Sequence, residues 1–451
     1  MIPPKPPSRP DHVSLWRYMK LFRADILSAQ PERLYRAWMA EFRTPFFRSY
    51  LANDPALVKL VLTERPDDFP KSDRIGAGLR PLLGDSVFLT NGAQWKRQRR
   101  IIDPAFEGGR LRDTWPAMWA AGEAAVARLK TRADGAPVEI EAETSHAAAD
   151  VIFRTLFSLP IENAVARAVF EEFRTYQRSQ PILNLAAFLP GPRWMPRFFR
   201  RETRASARRI RGLIEGLVAA RLKEIEADTA PDDLATKIMI TIDPETGDRF
   251  DVGEMVDQVA IFFLAGHETS ASALAWALYL MALYPDWQEK VAAEAEALTD
   301  SFSSLSKLRV TRDVFRETLR LYPPVPMMVR ETTRPETFRG RDVPRGAQVV
   351  LSPWHLHRQT RLWERPDNFD PARWATENGK SCAREAYMPF SSGPRVCTGA
   401  GFAMVEGVLL LASFCRAFRM ETVGGRVPEP VAHLTVRARD GIWLRFVPRE
   451  A

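Results

Sequence analysis

The sequence predicts a mainly α-helical protein with a minor β portion, and three observations carry that expectation. Between about residues 113 and 285 apolar residues recur at spacings of three and four, the period of a helix that buries one face. After Tyr322 the prolines Pro323, Pro324 and Pro326 break helix, and short β-type runs follow. A last strong apolar helix covers residues 401–418, and the tail beyond it alternates in the manner of strands.

Each element follows from local chemistry. Residues 1–40 form an N-terminal segment that is proline-rich at its start, and residues 41–451 read as a single domain, without a fixed-period repeat or a long linker. The stretch AMWAAGEAAVARLK (117–130) and the longer 204–227 stretch are amphipathic helices, the second with a basic face. Residues 250–283 make the longest unbroken helical pattern, which Pro285 stops. At ~1.5 Å per residue it would be about 50 Å long, enough to cross a whole domain. Residues 289–298 and 312–321 give two more helices, 347–352 (AQVVLS) a strand, and 434–448 a small hairpin.

Composition excludes several classes. The 451 residues are 45% hydrophobic and 27% charged, so disorder and collagen-like structure are out, and a large core is available. The three cysteines, Cys382, Cys397 and Cys415, contain no CxxC pair. An iron–sulfur cluster and a four-cysteine zinc site are thereby excluded, and three scattered thiols argue against a secreted disulfide scaffold and for a reducing compartment. The net charge of +8 would suit nucleic acid, an anionic surface or an acidic partner, but no Lys/Arg block carries interleaved aromatics, so nucleic acid is not expected. The N-terminus lacks the apolar core of a signal peptide, and no stretch of ~20 apolar residues occurs. The expectation is a cytoplasmic protein without a membrane anchor.

Four segments carry chemistry. The first, Phe390 to Gly399 (FSSGPRVCTG), sets Cys397 between Gly393 and Gly399 and directly ahead of an apolar helix. Free N–H groups and the dipole there would favour a thiolate and make it a metal ligand, with Arg395 adding positive charge beside an anionic group. Cys382 and Cys415 read as buried thiols. In the second, Ala265–Gly266–His267–Glu268–Thr269–Ser270, a zinc HExxH site is excluded because Ala271 stands where the second histidine is needed. The small residues would let the helix pass close to a bound group and widen locally. Glu268 and Thr269 set an acid beside an alcohol in an otherwise apolar helix, where an unpaired carboxylate costs several kcal/mol. The third is Glu317 and Arg320, an i,i+3 pair whose string recurs at Glu107/Arg110 and Glu171/Arg174, so that only its position ahead of LYPPVP distinguishes it. Trp95 and Arg99, one turn apart, are the fourth.

In this order the segments resemble the motifs of the cytochrome P-450 family, haem-thiolate monooxygenases, in their soluble bacterial form. FxxGxRxCxG is matched at every fixed position from Phe390 to Gly399, and Glu317/Arg320 and Pro371–Ala–Arg373–Trp374 match the ExxR and PxRx elements, with Trp374 in place of the more usual Phe. The resemblance implies the P-450 fold, with haem b between the long helix and the Cys397 loop. It makes Cys397 the iron ligand and gives Trp95, Arg99, Ala265, Gly266, Arg330, Phe390, Arg395 and Gly399 to the cofactor, the basic ones beside its propionates. Glu268 and Thr269 then deliver protons to dioxygen, and Glu317, Arg320 and Arg373 form a buried structural network.

Phe262, Phe263, Ala265, Val325, Met327, Met328 and a loop from about 75 to 88 are the expected pocket walls. These are apolar and imply hydroxylation of a hydrophobic organic substrate; Lys71, Arg74 and Arg80 leave a carboxylated one open. About fifty residues follow Cys397 with no reductase segment, so electrons from NAD(P)H are expected through a reductase and a ferredoxin or flavodoxin, which would dock by charge at Lys96, Arg97 and Arg100. The rival readings are a peroxygenase or oxidative coupling catalyst, against which the Glu268–Thr269 pair counts, and a non-enzymatic haem sensor, which would not need that pair.

Overall fold

The structure is a computed structural model, and it describes residues 2–43, 48–107, 109–179, 201–432 and 434–449. Its helices are α1 (Leu15–Ala24), α2 (Pro55–Lys59), α3 (Asp73–Leu83), α4 (Gly92–Ile102), α5 (Arg110–Asp113), α6 (Trp115–Lys130), α7 (Ile140–Phe157), α8 (Ala164–Ser179) and α9 (Arg201–Glu226). They continue with α10 (Leu234–Ile240), α11 (Val252–Leu283), α12 (Pro285–Ala295), α13 (Arg309–Leu321), α14 (Pro353–Leu356), α15 (Glu377–Glu385) and α16 (Ala400–Ala417).

The 32-residue α11 is the axis of the molecule. Its start is fixed by a capping box, in which the Asp251 carboxylate accepts from Glu254 N–H and the Glu254 carboxylate accepts from Asp251 N–H. At ~1.5 Å per residue it is about 48 Å long, and it is packed by α7, α9, α13 and α16. Pro285 ends it and also opens α12 at the first helical position, where a missing N–H costs nothing. Among the described residues only α16 is long and apolar enough to cross a membrane, and it lies largely buried in the core.

The β portion is minor. Strands β1 (Met39–Arg43), β2 (Arg48–Ala52), β7 (Gln348–Leu351) and β4 (Met328–Glu331) form one sheet in that order. Here β2 and β7 run parallel with Ser49 opposite Gln348, and the other pairs are antiparallel. A second sheet joins β3 (Val138–Glu139), β11 (Trp443–Pro448) and β8 (Phe418–Thr422). Two ribbons complete the set: β5 (Glu336–Phe338) with β6 (Arg341–Val343), and β9 (Pro430–Ala432) with β10 (Val436–Ala438).

Three expectations are modified. Residues 434–448 are not one hairpin. β10 turns back onto β9 (Val436 opposite Ala432), and β11 pairs with β8 (Leu444 opposite Thr422). The five-residue β8, continuing straight out of α16, offers β11 a longer partner than three-residue β10 does. The expected loop from 75 to 88 is largely helix α3, which tolerates Pro81 in its last turn and buries Leu79, Leu82 and Leu83; the side chain of Ile75 lies outside the described residues. A division at residue 40 falls inside β1, and the segment before it is packed in: Leu27, Leu34 and Tyr35 are buried, and the Tyr322 hydroxyl donates to the Pro4 carbonyl at 2.8 Å.

Candidate functional site

The Cys397 loop is shaped by contacts on both sides. Gly393 sits at φ +69°, and a Cβ there would lie 2.1 Å from the Leu62 carbonyl oxygen, so no larger residue fits. Gly399, by contrast, has φ −85° with open space where a side chain would be. Its lack of a side chain keeps that face clear and does not serve the turn. Cys397 N–H donates to the Phe390 carbonyl at 2.9 Å, closing the loop, and the Phe390 ring packs on the main core. The Cys397 side chain has open surface although protein surrounds it on most sides, as expected of a thiol on an internal wall. Burial pushes the thiol up from its ordinary range, while the Gly399 N–H and Arg99 pull it down. The helix end alone does not yield a thiolate here.

Cations converge beside this loop. The Trp95 ring is flanked by Arg395 at 5.0 Å, Lys71 at 5.7 Å and Arg99 at 5.9 Å. Arg99 donates to Asp103 (2.8 Å) and to the Val396 carbonyl (2.7 Å), and Thr398 donates to Asp103 (3.1 Å), so α4 is stitched to the loop. Arg330 on β4 is buried and donates to the Val329 carbonyl (3.2 Å), and Arg395 donates to the Pro66 carbonyl (2.5 Å). The Nε atoms of Arg330 and Arg395 are buried without a hydrogen-bond partner. The nearest acid to Arg395 is Asp67 at 3.6 Å, mostly in solvent. Lys71 ends on the carbonyls of Val87 (2.6 Å) and Thr90 (3.2 Å), and burial with Arg330, Arg395 and Arg99 pushes its ammonium down to about 6. Buried cations gathered this closely, two of them with unpartnered Nε atoms, are short of an anion. Lys71, assigned by sequence to substrate recognition, belongs to this cluster; Arg80 pairs with Asp85 at the surface.

On α11 the acid and the alcohol part company. Consecutive helix residues point about 100° apart. Glu268 is buried and accepts from Thr435 (2.8 Å), Gln177 (3.0 Å) and Arg437 (3.2 Å). Thr269 donates to the Ala265 carbonyl at 2.6 Å, and no hydrogen bond joins the two side chains. Ala265 is exposed between buried Leu264 and buried His267, so the helix opens at that point onto an internal wall. A Cβ on Gly266 would meet Ile152 at 2.4 Å, so that glycine serves close packing with α7, and the helix continues without the expected widening. His267 hydrogen-bonds Ser145 at 2.7 Å and is held neutral by burial, pushed down to about 3. Ser270 donates to the buried Glu406 of α16 at 2.6 Å. Phe262 reaches Phe402 of α16 through Phe106, with ring centroids 5.7 and 6.4 Å apart. The segment carrying Glu268 and Thr269 is thus tied to the first turns of α16, which begins three residues after Cys397.

Glu317, Arg320 and Arg373 meet in the interior. Arg320 donates twice to Glu317 (2.8 and 2.9 Å), and Arg373 donates to the same carboxylate at 2.9 Å. Asp370 N–H adds a fourth bond at 3.0 Å. The remaining guanidinium hydrogens go to carbonyls of His357, Glu364, Arg365, Pro366 and Asn368, so the network holds a long loop by its backbone.

Other expectations change place. Phe263 packs among Phe153, Phe157 and Phe173 and belongs to the aromatic core, whereas Phe262 packs on Phe106 and stays half-buried. Met327 packs on the main core and Met328 on the second; Val325 and Phe88 keep open surface. Arg97 and Arg100 do not form a docking face: they pair with Glu254 (2.6 Å) and Asp243 (2.6 Å), and Lys96 alone of the three remains well exposed. Residues the sequence did not single out are Asp103, Gln177, Glu406, Thr435 and Arg437; only Glu406, an acid in an apolar helix, carried a local signal.

The family model for Cytochrome P450 matches residues 32–444. The cyclooctat-9-en-7-ol 5-monooxygenase of Streptomyces melanosporofaciens is 33% identical over 92% of this chain and 87% of its own length. The cyclooctatin synthase of the same organism is 30% identical over 88% and 86%. A crystal structure of the cytochrome P450DA heme domain superposes with a TM-score of 0.81 at 25% identity, covering 100% of this chain and 98% of that one.

Proposed function

The chain belongs to the cytochrome P450 family, and from that premise we propose the roles of its own residues. It is a haem-thiolate monooxygenase that hydroxylates a hydrophobic substrate using dioxygen and electrons from a separate redox partner. The residues present suit haem b. Two propionates are the anions that the Lys71, Arg330 and Arg395 cluster is short of, and the orphaned Nε atoms of the two arginines are the donors left to meet them. Cys397 offers a single sulfur with open surface, and Ala265 and Gly399 leave room for a flat group.

When bound, the haem activates dioxygen for insertion of one oxygen atom into a C–H bond, and a thiolate ligand favours O–O cleavage. Cys397 must be ionised to ligate. Burial opposes that, so the thiolate persists only with a cation against the sulfur, assisted by the Gly399 N–H and Arg99. Glu268 is the proton entry point: its carboxylate is buried, and its partner Arg437 is 39% exposed, so the pair spans from interior to solvent. Thr269 spends its hydroxyl hydrogen on the Ala265 carbonyl, leaving oxygen lone pairs to hold a donor at the open patch. Glu317, Arg320 and Arg373 hold the loop behind the site.

An apolar substrate is supported by the relatives, one of which is named for the oxidation of cyclooctat-9-en-7-ol. The electron donor is a small acidic ferredoxin or flavodoxin. With Arg97 and Arg100 engaged internally, its contacts are exposed Arg110 and Arg112 on α5, whose Leu111 lies against Gly401 at the foot of α16, and Lys96, whose solvent-exposed pair with Asp67 an acidic partner can displace. Cytoplasmic placement belongs to the same reading, supported by three free thiols.

The observation that carries this reading is Cys397 at the foot of a helix whose first turns are fixed to the Glu268–Thr269 segment. The experiment compares wild type and Thr269→Ala with a ferredoxin–reductase pair and with peroxide, measuring product per NAD(P)H consumed in the first and product per peroxide consumed in the second. Coupling that falls several-fold in the carrier reaction but holds with peroxide supports the proton role. Equal coupling in both proteins removes it.

A further inference from the structure

Helix α1 reads LWRYMKLFRA, and none of its ten residues is fully buried. Its inner side rests on aromatic contacts: Tyr18 lies 5.6 Å from Phe22 and stacks on Phe42 of β1 at 6.5 Å. Its C-terminal end is held by the β9–β10 ribbon, where Ile26 N–H donates to the Ala432 carbonyl (3.2 Å) and Ala432 N–H donates to Asp25 (2.8 Å). The helix therefore has a fixed orientation with one face turned outward. That face carries Trp16, 78% exposed, with Lys20 and Arg23 at i+4 and i+7 on the same stripe and Arg17 beside them. Leu15, also exposed, extends the apolar part.

The charge pattern is the telling feature. The helix has no acidic residue, and among the described residues Arg17, Lys20 and Arg23 make no ion pair. They differ in this from cations held by an acid, such as Arg97 with Glu254, Arg100 with Asp243, or Arg211 with Asp257. An exposed indole among three uncompensated cations suits the boundary of an anionic bilayer. The ring body meets the acyl edge, its N–H meets carbonyls and phosphates, and the cations meet negative headgroups. The stripe is narrow and convex and offers a protein partner little apolar area. We propose that α1 docks this face on an anionic lipid surface as a peripheral contact, without spanning it. A hydrophobic substrate concentrated in the same bilayer would then be met where it partitions.

The test is co-sedimentation of the full-length, haem-loaded protein with phosphatidylcholine vesicles containing about 30% phosphatidylglycerol, against phosphatidylcholine alone. At low salt the wild type binds the anionic vesicles and not the neutral ones. R17Q/K20Q/R23Q together lower partitioning by about 100-fold, roughly five-fold for each cation. W16A lowers it several-fold at unchanged charge. A charge-matched control, R208Q/K223Q/K307Q, alters exposed cations elsewhere and keeps most of the binding. Equal loss in both triple variants would mean only the general attraction of a cationic protein and would overturn the proposal. So would failure to bind anionic vesicles, equal binding to neutral ones, or a changed oligomeric mass in W16A with vesicle binding intact, which would mark a contact between copies.

Discussion

Glu406 sets up a quantitative test of how α16 and α11 are joined. Its side chain is buried; one carboxyl oxygen meets Ser270 at 2.6 Å, and the other has no partner. Burial pushes the acid from 4.5 up to about 8, with only the Ser270 bond opposing. The folded protein therefore keeps a proton that the unfolded chain releases. The unfolded state binds fewer protons between pH 4.5 and 8, and stability must fall as pH rises through that window. From those two values the cost is about 2 kcal/mol at pH 6 and about 4 kcal/mol at pH 8, at 1.36 kcal/mol per unit. Glu406→Gln keeps the shape and a hydrogen bond to Ser270 but cannot ionise. Urea unfolding of the haem-loaded wild type and variant at pH 6 and pH 8 should show the variant gaining about 2 kcal/mol relative to wild type at the higher pH. Parallel pH profiles would mean that Glu406 is already ionised in the folded state, and the account of a neutral, cation-free acid would be wrong.

Three further outcomes follow from the same structure. Glu317→Gln leaves two buried guanidinium groups without their shared charge and should cost about 3–5 kcal/mol, lowering Tm by about 4 °C in a chain of this length; a loss below 1 °C would refute the network's role. Lys71 has its pKa lowered, so without an anion nearby the folded state loses stability as pH falls from 10.5 toward about 6. Binding of the dianionic haem at pH 7.5 should therefore take up a proton at Lys71 while Cys397 gives one up on ligation, a net change near zero by calorimetry in buffers of different ionisation enthalpy, and Lys71→Met should turn it into a net release of close to one proton. Arg437→Gln should leave substrate binding unchanged while the solvent isotope effect on turnover rises and product per NAD(P)H falls several-fold; unchanged coupling and isotope effect would exclude Arg437 from proton delivery.

What could be read from the sequence was chemistry confined to a short stretch. The Cys397 loop and the Glu317–Arg320 turn are local strings in which the backbone and charge demands are written side by side. Side-chain direction on α11 was not legible, because a helix buried nearly all round has no polar face to orient it. Phe263 looks identical in sequence to a pocket-lining residue and is core. Pairings across long separations were equally hidden: Arg100 finds Asp243, and Lys71 bridges to Arg330, which sequence spacing does not encode. The Arg97 and Arg100 docking face was misjudged for this reason. A basic helix face is a docking surface only if no acid elsewhere in the chain folds against it.

The divergence of Glu268 from Thr269 resolves a conflict built into any site of this kind. Oxygen chemistry on an apolar substrate needs protons, yet it also needs a pocket from which water is excluded. With the two residues on one face, the same opening would admit both proton and solvent. One helical step separates them by about 100°. The acid turns to β10 and α8, where Arg437 reaches solvent, and the alcohol stays at the Ala265 patch. On the proton role proposed for Glu268 and Thr269, protons cross the helix and the apolar wall need not be breached. The helix must hold that twist firmly for the separation to last, which gives Gly266 its purpose: with no side chain it lets Ile152 of α7 press against the backbone at the step between the two functions. Enlarging it to alanine would set a Cβ 2.4 Å from Ile152 Cδ1, forcing that neighbour aside and disturbing both orientations together.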